Sequence, residues 1–152
     1  MQDPKEYFQS RPKKSMGSGC IFFNKKGEIL IVKPSYKDYW ILPGGGVEEK
    51  ESPMSACIRE VKEEINLEIK NPKFICVDYC PFDEIRGDHL QFLFFGGILN
   101  NKEINKIKLL DGELEDFKFV SHKKAFSMIG GRLKKRLPVA LRILRNKKSS
   151  YL

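Results

Sequence analysis

No stretch of the chain is apolar for more than a few residues, far short of the roughly 20 that a membrane-spanning helix needs. The first residues, Met-Gln-Asp-Pro-Lys-Glu-Tyr-Phe, lack the basic-then-apolar order of a secretory signal, so a cytoplasmic location is expected. Histidine is scarce, with His89 and His122 alone, and no serine–histidine–acid grouping argues for a nucleophilic hydrolase. Cysteine is sparse and poorly placed for metal. Cys20 and Cys57 stand apart, while Cys76 and Cys80 sit four residues apart in an expected strand, which is not zinc-ligand spacing. Buried free thiols are the reading that remains. Internal repeats and low-complexity segments are also missing.

What is present suits one core. At 152 residues and 41% hydrophobic, the chain can fill a single domain and is too short for two ordinary ones. Residues 1–16 read as a polar arm, and residues 17–152 as one domain ending in a basic helix. The net charge of +8 is concentrated there. From Gly131 onward come Arg132, Lys134, Lys135, Arg136, Arg142, Arg145, Lys147 and Lys148, with no acid among them. Leu133, Leu137, Val139, Ala140, Leu141, Ile143 and Leu144 interleave with these charges, which predicts an amphipathic helix. Pro138 must lie near its first turn or kink it. Two readings of the charge stay open. It is a solvated helix face, or a basic patch that draws in anionic substrates or RNA. The patch carries no aromatic platform for bases.

Strands are expected at Cys20–Phe23 and Glu28–Val32, joined by an Asn24-Lys-Lys-Gly27 turn. Others are expected at Trp40–Leu42, near residues 72–80 and 89–99, and at Phe117–Val120. Ser52 is placed to cap a helix with Pro53 in its first turn, where a missing N–H does no harm. Met54, Cys57, Ile58, Val61 and Ile65 would form that helix's buried face. A further helix should begin after Ser121. Periodicity alone leaves α+β and α/β both open.

The most informative stretch runs from Gly45 to Leu67, where a glycine-rich turn precedes this helix. Glu60, Glu63 and Glu64 fall on one face of it, Glu63 roughly 60° to one side of Glu60 and Glu64 roughly 40° to the other. Carboxylates so close repel one another unless cations sit between them. The hard-oxygen cations are magnesium and manganese.

This pattern, Gly-x5-Glu-x7-Arg-Glu-apolar-x-Glu-Glu-x-Gly-apolar, resembles the Nudix box. Gly45, Glu51, Arg59, Glu60, Val61, Glu63, Glu64 and Leu67 match it, and the lead-in Trp40-Ile-Leu-Pro-Gly44 is also similar to the family's. The motif covers about a sixth of the chain. Asn66 stands where the family has glycine, and Lys50 where relatives often do. The Asn66 position follows the last helical turn, where the backbone commonly turns left-handed, and asparagine tolerates that best after glycine.

The resemblance, to a small MutT-like bacterial member, implies an α/β/α sandwich around a mixed sheet. It also implies hydrolysis of a nucleoside diphosphate linked to another moiety, ADP-ribose and nucleotide sugars foremost. Nucleoside triphosphates, oxidised ones included, are the alternative, and beyond them RNA 5′ ends or a non-catalytic nucleotide- or RNA-binding module. By the same resemblance Glu60, Glu63, Glu64 and the Gly44 carbonyl would hold Mg²⁺, with Mn²⁺ able to substitute, and Arg59 would orient Glu60. Such ions would neutralise the charge that develops as water attacks phosphorus. Glu51 either pairs with Arg59 to hold the loop on the helix or contacts metal itself. The general base lies outside the box in some branches. Glu113, Glu115 and Asp116 are the acidic candidates, Glu113 foremost, with an exposed acidic loop as the plain alternative. Tyr36, Tyr39, Trp40 and Phe119 could stack on a base or belong to the core. Dimers are common in the family, so a homodimer is allowed.

Overall fold

The computed structural model describes residues 3–110 and 112–146. The elements run α1 (Pro4–Ser10), β1 (Ser15–Asn24), β2 (Ile29–Pro34), β3 (Gly44–Gly46), α2 (Pro53–Ile65), β4 (Lys73–Cys80), β5 (His89–Leu99), α3 (Asn101–Ile104), β6 (Leu114–Val120), α4 (His122–Met128) and α5 (Leu133–Arg145). The strands make one mixed six-stranded sheet in the order β4-β5-β1-β2-β6, with β3 paired to β1. β1 runs parallel to β5 and antiparallel to β2 and β3.

Alternating side chains on the central strands explain the layering. On β1 and β2, Cys20, Phe22, Leu30 and Val32 face Cys57, Val61 and Ile65 of α2. The neighbouring Ile21, Ile29 and Ile31 point to the opposite face, where Ala125 of α4 and Leu137, Ala140 and Leu141 of α5 cover them. Both faces of the sheet are therefore buried, which makes an α/β/α sandwich. None of the α1 residues is buried.

Local chemistry sets the turns. The Asn24 Oδ1 accepts from the backbone N–H groups of Lys26 and Glu28, and Gly27 takes φ +75°, closing the β1–β2 turn. The Ser52 side chain accepts from Ser55 N at 3.1 Å to cap α2. Asn66 ends that helix at φ 59° and ψ 25° in the left-handed region. Lys50 is also left-handed, at φ 62°, a conformation that glycine adopts at no steric cost.

Several expectations need correction. Trp40–Leu42 is no strand, only two isolated bridges, Trp40 to Ile129 and Ile41 to Val32. The strand at this point is Gly44–Gly46, whose residues have little β propensity and pair because β1 lies alongside. For a similar reason β1 begins at Ser15, five residues earlier than the apolar run suggests. The fourth and sixth strands match the expected spans closely, β6 starting three residues early. On α2, Met54 is exposed and Ile58 half-buried, while Ala56 and Glu64 join the buried set. Pro138 lies in the second turn of α5, and the helix continues through it. Cys20, Cys57 and Cys80 are buried free thiols and Cys76 is half-buried. Of the basic C-terminal run, Lys147 and Lys148 lie outside the described residues. Among the described residues, no helix is long and apolar enough to cross a membrane.

Candidate functional site

Two hollows open beside β3, and they differ in charge. The first, of about 570 Å³, is lined by Glu48, Arg59, Glu60, Glu63, Leu110 and Glu113. Arg59 organises it. Its Nε and Nη2 donate to the two oxygens of Glu51 at 2.8 and 3.0 Å, a bidentate pair. Its Nη1 donates to Glu60 at 2.8 Å and Glu63 at 3.0 Å, and Nη2 also reaches the Gly46 carbonyl at 3.0 Å. One guanidinium thus ties the loop to the helix. Glu51 also accepts from Glu48 N at 2.9 Å. The hydrogen bonds from Arg59 are the main cause that holds the Glu51 carboxyl near 2, against an ordinary 4.5.

The carboxylates crowd the glycine strand from below. A Cβ on Gly45 would fall 2.4 Å from the Glu60 Cδ, so only glycine admits Glu60 to this position. A Cβ on Gly44 would fall 2.1 Å from the Ser18 carbonyl oxygen, and its φ of +144° also requires glycine. Gly44 N donates to Glu64 Oε2 at 2.8 Å, and Glu64 is only 6% exposed. Burial pushes the Glu60 carboxyl up, Arg59 pulls it back, and the charges of Glu63 and Glu113 push it further. The fold therefore brings Glu113, from the far side of the sequence, to the box. Glu115 instead lies 3.8 Å from Lys33 Nζ, and Asp116 lies 3.2 Å from Lys118 Nζ.

Among the described residues no three of histidine, cysteine, aspartate and glutamate stand together as a ready-made ion cage. The carboxylates lean on Arg59 and Gly44 N–H instead. The donor set nonetheless has the chemistry of a hard divalent cation, since every candidate ligand is a carboxylate or carbonyl oxygen.

The second hollow, of about 490 Å³, extends from Gly44–Gly46 across the sheet. Ser18, Tyr36, Lys37, Tyr39, Arg86, His89, Gln91, Arg132 and Arg136 are among its lining residues. Four of these are permanent or near-permanent cations, and no aspartate or glutamate lines it. Lys37 Nζ stands 5.4 Å from the Tyr36 ring centre and 5.7 Å from that of Tyr39, within cation–π range. Burial lowers the Lys37 ammonium, Arg86 lowers it further, and Glu64 acts against both. The Ser18 Oγ is buried with no hydrogen-bond partner among the described residues.

Of the aromatic candidates, Tyr36 and Tyr39 line this second hollow. Trp40 is half-buried among Ile21, Ile29 and their neighbours, with Lys118 Nζ 4.8 Å from its ring centre. Phe119 packs on the opposite core. Neither Trp40 nor Phe119 lines either hollow. Lys37, Arg86, Ser18 and Glu48 carry no sequence signal of a site. Arg132 and Arg136 had one in the basic run, but nothing in it distinguished them from their six companions.

The NUDIX domain family model matches residues 13–142. An RNA pyrophosphohydrolase of Hydrogenovibrio crunogenus is 48% identical over 50 residues, which are 33% of this chain and 30% of that protein. Diphosphoinositol polyphosphate phosphohydrolase 2 of Homo sapiens is 42% identical over 59 residues, 38% of this chain and 33% of that protein. The matches thus span about a third of the length of these curated relatives. Among solved structures, the MutT protein of Methanosarcina mazei Go1 superposes with a TM-score of 0.69 at 22% identity, covering 91% of this chain and 99% of that one. The NUDIX domain of Shewanella oneidensis NrtR complexed with ADP ribose gives 0.71 at 16% identity, over 93% and 97%. At these identities the structural likeness is one of fold.

Proposed function

The chain belongs to the Nudix family, hydrolases of the pyrophosphate-cleaving kind, and from that premise we propose that its substrate is a nucleoside diphosphate linked to another moiety, of the ADP-ribose or nucleotide-sugar type. The observation that carries this reading is the pairing of an acidic hollow with a basic one across Gly44–Gly46. The basic hollow has the volume of a small-molecule site, and its Tyr36 and Tyr39 offer faces to a base or sugar. A related fold carries ADP ribose.

Glu60, Glu63, Glu64 and the Gly44 carbonyl would hold Mg²⁺, with Mn²⁺ substituting. Once bound, that ion supplies charge neutralisation for the phosphate oxygens and a lowered pKa for attacking water. Arg59 orients Glu60 and Glu63 through its Nη1. Glu51 and the Gly46 carbonyl fix Arg59 from the other side. Glu113 accepts the proton of the attacking water. A new P–O bond forms, and the bridging oxygen leaves with the other phosphate.

A second reading is release of pyrophosphate from RNA 5′ ends. The Hydrogenovibrio relative and the basic C-terminal run favour it. A nucleoside triphosphate would use the same two hollows. One panel separates these: ADP-ribose, nucleotide sugars, nucleoside triphosphates with oxidised dGTP, dinucleoside polyphosphates and a 5′-triphosphorylated RNA, each with Mg²⁺ or Mn²⁺. The expected result is a preference for the first two groups that vanishes in Glu63→Gln. Equal turnover by parent and variant would overturn the assignment of the acidic hollow.

A further inference from the structure

The basic hollow carries positive charge beyond the reach of a scissile pyrophosphate seated over the glycines. Strand register gives the geometry. Asp78 on β4 pairs with Gln91 on β5, Gln91 with Gly17 on β1, and Gly17 with Gly46 on β3. These four residues form one row across four strands. Three strand spacings separate its ends, about 14 Å. At the Gly46 end stand Arg59 and the box carboxylates. At the other end, Arg132 Nη2 donates to Asp78 Oδ1 at 3.0 Å, and Arg136 Nη2 to Asp78 Oδ2 at 3.0 Å. A pyrophosphate seated over the glycines cannot reach that far.

The charge count decides what can. Arg132 and Arg136 share the single carboxylate of Asp78. Arg86 pairs with Asp83 at 3.1 Å. Lys37 adds a fourth cation, facing Tyr36 and Tyr39. Asp78 and Asp83 thus answer three arginines, Glu64 acts on Lys37, and none of the three carboxylates lines the hollow. The cations still outnumber these carboxylates, and a phosphate monoester, at about −1.5 to −2 at neutral pH, would answer them. Arg136 is only 11% exposed, so its guanidinium is partly desolvated and favours a planar, bidentate oxyanion partner. The floor between the two ends is polar as well. Gln91 lies over Gly17, where a Cβ would meet its Oε1 at 2.4 Å.

We propose that the substrate carries a phosphate monoester on the part remote from the scissile bond, gripped by Arg132 and Arg136 with Arg86 and Lys37 beside them. Asp78 is then a positioning residue that spreads the two guanidiniums. This rests on the hydrolase reading for the Gly46 end, and deepens it by naming the substrate class.

Two matched pairs test it, since each differs by one phosphate monoester: NADP⁺ against NAD⁺, and coenzyme A against its 3′-dephospho form. Binding is measured by calorimetry on the Glu63→Gln protein, and hydrolysis separately on the parent. In at least one pair the phosphorylated member should bind about tenfold or more tightly, and the preference should fall to about threefold or less in Arg132→Gln and in Arg86→Gln. Arg86 sits on an exposed loop, so its replacement reports on the site even if an α5 variant fails to fold. Equal binding within both pairs, or a preference unchanged by either variant, overturns the proposal. Preference without turnover in the parent counts against the hydrolase reading and leaves the remote site standing. Turnover with equal binding does the reverse.

Discussion

The basic hollow, lined by Gly44–Gly46 and ringed by Lys37, Arg86, Arg132 and Arg136, and the acidic one around Glu60, Glu63 and Glu113, which Glu60 brings up against Gly45, are assembled differently. All but two of the acidic hollow's lining residues come from Glu48 to Glu63, one turn and one helix. The basic hollow draws on β1, the segment after β2, β3, the β4–β5 connection, β5 and the start of α5. The first is local and depends on spacing. The second exists only once the sheet and the start of α5 are in place. Chemistry that a whole family shares can reside in the local hollow, while selection of a particular substrate resides in the distributed one.

The contrast can be broken most sharply at Gly45, where the two sides meet. Gly45→Ala places a methyl 2.4 Å from the Glu60 Cδ and should cut turnover about a hundredfold, because Glu60 must move aside. Steady-state kinetics check this, and circular dichroism should show the fold retained. Leu137→Ala strikes the distributed side. Leu137 of α5 is fully buried against the sheet, so urea unfolding should show a loss of about 2–5 kcal/mol. Substrate selectivity should weaken with it, since the same helix presents Arg136.

Acid provides a milder test. Burial alone would raise the Asp78 carboxyl, but its bonds from Arg132 and Arg136 prevail and hold it below the ordinary 3.8. A depressed folded-state value means that Asp78 stabilises the fold above 3.8 and that the contribution fades as pH falls below it. Denaturation midpoints at pH 7 and pH 3 should differ less in Asp78→Asn than in the parent. The smallest effect is expected on the local side. Asn66→Gly relieves a left-handed asparagine but removes its bonds with Lys62 Nζ and the Lys106 carbonyl, so stability should change by no more than about 0.5 kcal/mol.

The same division explains what could be read from sequence. The Ser52 cap, the left-handed Asn66 and the approach of Glu51 to Arg59 follow from residues a few positions apart, and such spacing is visible in a string of letters. Strand β3 was not visible, because glycines pair there only when β1 supplies the partner edge. Nor was the burial of Glu64, which depends on the Gly44 N–H twenty positions away. Arg86 lies in a turn-rich segment that reads as a plain loop. The basic run at the C-terminus was legible as charge, but Asp78 and its β4 neighbours Tyr79 and Cys80 hold two of its arginines, which the string of letters does not show.

The parallel pairing of β1 with β5 also sets an order of assembly. Ser15 pairs opposite His89 and Asn24 opposite Leu99, so one edge of β1 has no partner until the chain has been made well past its midpoint. The β1–β2 hairpin and the box helix can form earlier, since their contacts are close in sequence. Until β5 arrives, Cys20, Ile21 and Phe22 belong to an open strand edge with an apolar face, the form most prone to pair with another chain. The acidic hollow can therefore take shape while synthesis is under way, and the basic one closes last.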